Sequence, residues 1–191
     1  MTDVMVTSIE MGRRLCLEPY VETVVLGAGL VSEVGSPAQK DRLLPEIAAG
    51  RLKLAGGFLE PQSRYDLEDV HTSATRDGDG YRLSGHKAVV LAGDSADLFI
   101  LSARASDTGD ICLFLVDAKA DGLSRHSYRN MDGRGAADLH LTNVKLDTGS
   151  LLACGEQALA ALHRSTDRAV AAYMAESLGA FGEINEMTLE Y

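Results

Sequence analysis

The spacing of apolar and polar residues divides the chain into three stretches. Up to about residue 50 the apolar positions recur with a helical period. The clearest segment, "PAQKDRLLPEIAAG", follows Ser36, whose hydroxyl suits a helix N-cap, and opens with Pro37 at the first helical position. It stops at Gly50, and Leu43, Leu44, Ile47 and Ala48 share one face. Pro45 falls inside the pattern and is expected to bend or tighten that turn.

From about Leu52 to Leu146 the pattern is that of strands. "VHTSATRDGDGYRLSGHK" reads as a hairpin closed by an Asp-Gly-Asp-Gly turn. "ADLFILSAR" and "DICLFLVDA" are continuous apolar runs joined by the polar link "ASDTG". "DLHLTNVKL" alternates, which sends Leu139, Leu141 and Val144 toward a core. Short strands at this spacing predict an antiparallel barrel or sandwich rather than βαβ units. From about Gly155 to Tyr191 the residues are rich in Ala, Leu, Glu and Met, and helix returns. The helical pattern is still running at Tyr191, so a truncated chain is expected. The fold class is therefore α+β, a central antiparallel β-barrel or sandwich domain flanked by α-helical segments. Its divisions are residues 1–51, 52–153 and 154–191.

Composition narrows the function classes. The 191 residues carry a formal net charge of −10, the wrong sign for a nucleic-acid partner. No apolar run is long enough for a membrane span, and the N-terminus lacks the basic-then-apolar pattern of a signal peptide. Cys16, Cys112 and Cys154 are odd in number and widely spaced, which reads as reduced thiols in a cytoplasmic protein.

Candidate chemistry is sparse. Gly27 and Gly29 in "TVVLGAGLVSEVG" imitate a nicotinamide-dinucleotide fingerprint, but Ser32 occupies the third glycine position and no second strand follows. The competing reading is small residues that let a helix pack closely. Ser63, His71 or His86, and Asp66 contain the residue types of a nucleophilic triad without the surrounding elbow. The five histidines are dispersed, so no metal site is expected; His140 and His163 read as surface or half-buried residues. The acids of "GGFLEPQSRYDLEDV" could serve acid–base catalysis, although such runs are more often solvated loops that cap turns.

The order of helix, "LEPQSRYDL", hairpin, "LSGHKAVVLAGDSADLFILSAR" and "LFLVDA" resembles the acyl-CoA dehydrogenase family, most closely the small subunit of its pimeloyl-CoA type. Family members are about twice as long, which identifies this chain as the end of an N-terminal helical domain, a whole middle β-domain and the first helix of a C-terminal bundle. "MTLEY" resembles the point where members continue into an Arg-Lys-Gln-Phe-Gly segment. The resemblance implies FAD between the β-domain and the C-terminal helices. A base takes the α-proton of the acyl thioester while hydride leaves the β-carbon for the flavin. It sets Phe58, Leu59, Glu60 and Pro61 beside the isoalloxazine edge, with Glu60 fixing a strand-to-loop turn. Ser63, Arg64 and Tyr65 lie toward phosphate and thioester. Val89, Val90 and Leu91 stand where members carry Trp-Ile-Thr, so the threonine hydroxyl near the flavin is missing. Asp167 matches a position near the pantetheine arm, and Ala169 a position where some members carry a glutamate base. No catalytic residue is therefore assigned within the chain.

Three readings follow. The first is part of an FAD-dependent acyl-CoA dehydrogenase that hands electrons to an electron-transfer flavoprotein, as a homo- or hetero-oligomer. The second is a non-catalytic partner that completes a flavin site on a larger subunit. The third is a nicotinamide-binding oxidoreductase built on Gly27 and Gly29.

Overall fold

The computed structural model describes residues 1–191. Helix α1 (Thr2–Arg13) is followed by a π-helical stretch, Val21–Ala28, that runs directly into α2 (Gly29–Val34). Helix α3 (Pro37–Ala48) begins as its sequence demands. Gln39 N–H donates to Ser36 Oγ, and Ser36 N–H donates to Gln39 Oε1, a reciprocal capping box. The Gln39 amide also donates to the carbonyls of Gly149 and Leu151, which ties α3 to the far end of the β-region. α3 is continuous across Pro45, and Gly50, at φ +70°, ends it.

Eight strands follow: β1 (Leu54–Gly57), β2 (Ser73–Asp77), β3 (Gly80–Leu91), β4 (Leu98–Ala105), β5 (Ile111–Asp117), β6 (Leu123–Arg129), β7 (Gly135–Leu146) and β8 (Leu151–Cys154). The sheet order is β6-β7-β3-β2-β4-β5-β8, with β1 paired to β4. The predicted hairpin is β2–β3, in register Asp77↔Gly80. Most pairs are antiparallel as expected. β4 is the exception, since it runs parallel to β1 along its first half and to β2 at its end. β4 and β5 are largely apolar because both of their faces are covered. Phe99, Leu101, Ala103, Cys112, Phe114 and Val116 meet Leu83, Leu139, Leu141 and Val144 in one core. That core draws on both halves of the sheet, which therefore closes around its own interior. The other face, with Ile100, Leu113 and Leu115, packs on Leu30, Val31, Leu43, Ile47 and the start of the last helix. β6 was not legible in the sequence: it is an outer strand, and its residues are exposed or half-buried on both faces.

Helix α4 (Glu156–Glu190) is unbroken over 35 residues, a length of about 50 Å at 1.5 Å per residue. It crosses α1 at very close range: a Cβ on Gly12 would meet the backbone of Glu176, and one on Gly179 the backbone of Ile9.

Two expectations are overturned. Gly27 and Gly29 lie inside helix, Gly29 at φ −58°, so no strand–turn–helix exists there to hold a dinucleotide. The smallness of Gly27 serves packing instead, since a Cβ there would come within 2.7 Å of Leu54 Cβ on β1. The three thiols are not all free either. The β5–β8 register sets Cys112 opposite Cys154, with Cα atoms 3.9 Å apart, and the two form a disulfide, which leaves Cys16 as the free cysteine. Their separation of 42 residues hid a pairing that only the register creates.

Candidate functional site

The site begins at the C-terminal end of β1, where the chain leaves the sheet through Phe58–Pro61. Period two along β3 turns Tyr81 and Leu83 inward, and it turns Lys87 inward as well. A lysine at a core position needs a buried acid, and Glu60 supplies it. Lys87 is wholly buried, and its Nζ donates to Glu60 Oε1 at 2.6 Å and to Ser102 Oγ at 3.1 Å. Glu60 also accepts from the backbone N–H groups of His71 (2.8 Å) and Thr72 (3.0 Å) and from the Gln62 amide (3.0 Å). Burial alone would raise the Glu60 pKa. The hydrogen bond and charge of Lys87, with the Thr72 and Gln62 bonds, outweigh it and bring the pKa down to about 2. Burial pulls the Lys87 ammonium below its ordinary value, while Glu60 pulls it back up. A carboxylate held this firmly in its charged form is a poor proton acceptor, and its work is to pin the Phe58–Pro61 turn onto β3. The Ala88 N–H to Leu59 carbonyl bond, 2.9 Å, adds to that clasp.

Ser63 belongs to the same turn: its Oγ accepts from Glu60 N–H and donates to the Glu60 carbonyl, so both of its roles are spent locally. Beside the turn, β3 carries a bulge between Lys87 and Val90. Val89 there adopts φ +52°, a left-handed conformation that a β-branched residue takes only when its surroundings impose it. Asp138 on β7 imposes it by accepting from Val89 N–H at 2.9 Å, while Tyr128 on β6 donates to the same carboxylate oxygen at 2.9 Å. Burial would raise the Asp138 pKa, but these two bonds and nearby histidines hold it below its ordinary value.

The bulge and the turn form one wall of a cavity of about 380 Å³ whose other wall is α4. Thr166, Ala169, Val170 and Tyr173, spaced as one helical face, line the α4 side. Phe58, Leu59, Tyr65, Val89 and Leu91 line the sheet side. Five of the predicted site residues are thus brought together. Val90 is buried in the β core with its side chain on the other face, Asp167 is exposed on a neighbouring face of α4, and Pro61 is exposed outside the cavity. Glu60 and Ser63 lie beneath the turn rather than in its cavity face. Sequence reasoning missed Lys87, Asp138 and Tyr128. The inward phase of β3 signalled Lys87, whereas the other two depend on pairing across β3, β7 and β6. Ala169 brings no carboxylate to the cavity.

Residues 55–144 match the family model of the acyl-CoA dehydrogenase middle domain. Over those residues the chain is an acyl-CoA dehydrogenase middle domain. It is 29% identical over 189 residues to cyclohexane-1-carbonyl-CoA dehydrogenase of Geobacter metallireducens, covering 95% of this chain and 50% of the relative. A solved glutaryl-CoA dehydrogenase from Mycobacterium smegmatis in complex with FADH2 superposes with TM-score 0.80 at 28% identity, over 87% of this chain and 43% of that one. The Tcur3481-Tcur3483 steroid ACAD superposes with TM-score 0.83 at 34% identity, over all of this chain and 49% of that one. The chain thus spans about half the length of the acyl-CoA dehydrogenases it matches. No helix is long and apolar enough to cross a membrane.

Proposed function

We propose that this chain forms half of an FAD-dependent acyl-CoA dehydrogenase that desaturates the Cα–Cβ bond of an acyl-CoA thioester. The observation that carries the reading is the apolar cavity between the β1 turn, the β3 bulge and α4, set within a β-domain of this family. The glutaryl-CoA dehydrogenase relative holds FADH2, and the residues here fit a flavin on structural grounds. Phe58, Leu59, Val89 and Leu91 offer an apolar wall for a flat ring, and the N–H of Leu59 donates to no protein acceptor. When bound, the flavin supplies the hydride acceptor. Phe58–Pro61 and Val89–Leu91 would hold it, and the Glu60–Lys87 pair fixes the first of these segments before any ligand arrives. Tyr65 and Asp167 belong to the CoA side of this reading, whereas Ser63, whose hydroxyl is spent on Glu60, supports the turn from beneath. Within it residues 1–51, 52–153 and 154–191 are the helical, β and second helical parts, and an electron-transfer flavoprotein is the acceptor.

A second reading, a partner subunit that completes a site on a larger dehydrogenase subunit, is favoured by two observations. The cavity contains no carboxylate at Ala169, and the Val89–Leu91 segment carries no hydroxyl. The test is a longer version of the protein, purified alone and with a candidate large subunit. Retained FAD and acyl-CoA-dependent dye reduction by the single protein support the first reading. Activity only in the mixture supports the second, and failure to bind FAD in either form overturns both.

A further inference from the structure

Histidines that are scattered along the chain meet across the sheet. The β3–β7 register sets His86 directly opposite His140, and the β6–β7 register sets His126 opposite Asp138. The His86 and His140 rings stack, with centroids 4.0 Å apart and planes inclined by 20°. Period two puts Asp138 on the same face of β7 as His140, and Asp138 stands within Coulombic reach of His86 and His126. His86 is half-buried, and its Nε2, shut off from solvent, has no hydrogen-bond partner in the protein. Such an orphaned nitrogen is rare and asks for a water or an ion. His140 is exposed, so the pair opens to solvent on its side.

We propose that His86 and His140 together bind a transition-metal dication of the zinc class, which clamps β3 to β7 beside the Val89 bulge. Neutral imidazole suits zinc, nickel and copper, whereas magnesium and calcium take oxygen ligands. Zinc–nitrogen bonds of about 2.0–2.1 Å in a tetrahedral shell hold two nitrogens about 3.3 Å apart. Rings already face to face at 4.0 Å reach that spacing through a small rotation of the exposed His140 side chain. No three His, Cys, Asp or Glu side chains are arranged as a ligand set, so water completes the shell and the metal is exchangeable. Asp138 acts from outside it, with one oxygen already accepting from Val89 N–H and Tyr128 Oη. Its charge favours a dication nearby, as does the net charge of −10. Ser124 continues the His86–His140 row on β6, so no lysine or arginine opposes the cation there.

The test titrates the purified protein with zinc, nickel and magnesium in a calorimeter, after alkylation of the free Cys16 thiol. Zinc and nickel should each fill one saturable site, and magnesium should show none. His140→Ala and His86→Ala should each weaken zinc binding at least tenfold, since even an outer-shell partner is worth about that much. His71 and His163 sit beside Asp69 and Glu68 and are the competing surface sites. His71→Ala and His163→Ala should leave the affinity within about twofold. Nickel should broaden the ring resonances of His86 and His140 before those of other histidines, and zinc should slow amide exchange at Val89. Absence of a saturable zinc site overturns the proposal, as does binding that survives His140→Ala. Affinity lost in His71→Ala or His163→Ala instead places the metal elsewhere and also overturns it. Unchanged exchange at Val89 with zinc bound overturns the clamp. Because His140 is exposed, His140→Ala decides the matter even if His86→Ala does not fold.

Discussion

Replacing Lys87 with methionine isolates what the buried Glu60–Lys87 pair contributes. Methionine fills much of the lysine stem but leaves the Glu60 charge buried with only the His71, Thr72 and Gln62 donors. Breaking a buried pair from one side costs about 3–5 kcal/mol. The depressed pKa of Glu60 leads to a figure of the same order. A carboxyl at about 2 in the fold, against 4.5 when unperturbed, corresponds to about 3 kcal/mol of folding stability. Because the folded value is depressed, that stability is fully present above pH 4.5 and is lost as the pH falls toward 2. Lys87→Met should therefore lose about 3–5 kcal/mol at neutral pH, and its deficit should shrink on acidification as Glu60 protonates. Replacing both residues, Glu60→Gln with Lys87→Met, should cost less than Lys87→Met alone, because no uncompensated charge remains. The chain has no tryptophan, so urea unfolding is followed by far-UV circular dichroism. A Lys87→Met loss below about 1 kcal/mol, or a double variant weaker than Lys87→Met, would refute the reasoning.

Further outcomes are open to the same measurement. Val89→Asn should gain about 1 kcal/mol, because asparagine tolerates the left-handed backbone that valine is forced into; a loss would show that Val89 is not strained. Asp138→Ala should cost about 1–3 kcal/mol by leaving Val89 N–H and Tyr128 Oη without their acceptor, and faster amide exchange at Val89 should accompany it. Gly27→Val should cost about 1–3 kcal/mol, since its Cβ would press on Leu54. Gln39→Leu should cost about 1–2 kcal/mol by removing the side-chain arm of the capping box and both carbonyl bonds to the β8 region, and cleavage near Gly149 by protease would report the loosening.

Local patterns in the chain determined much of the architecture. Ser36, Pro37 and Gly50 set both ends of α3 through capping and left-handed backbone, effects that act within a few residues. The Asp-Gly-Asp-Gly turn set the β2–β3 hairpin, and alternation set the inward faces of β3 and β7. What the patterns could not carry were pairings between distant segments. The parallel placement of β4 against β1 and β2, the Cys112–Cys154 bond and the Asp138–Val89 contact all depend on which strands lie side by side, and neighbouring residues do not encode that choice. Glu60 shows the division most plainly. Its sequence context offered a carboxylate for catalysis or for a turn. Burial against Lys87 decided between them, because a carboxylate with a cation at 2.6 Å and two backbone donors stays ionised and holds structure rather than accepting a proton.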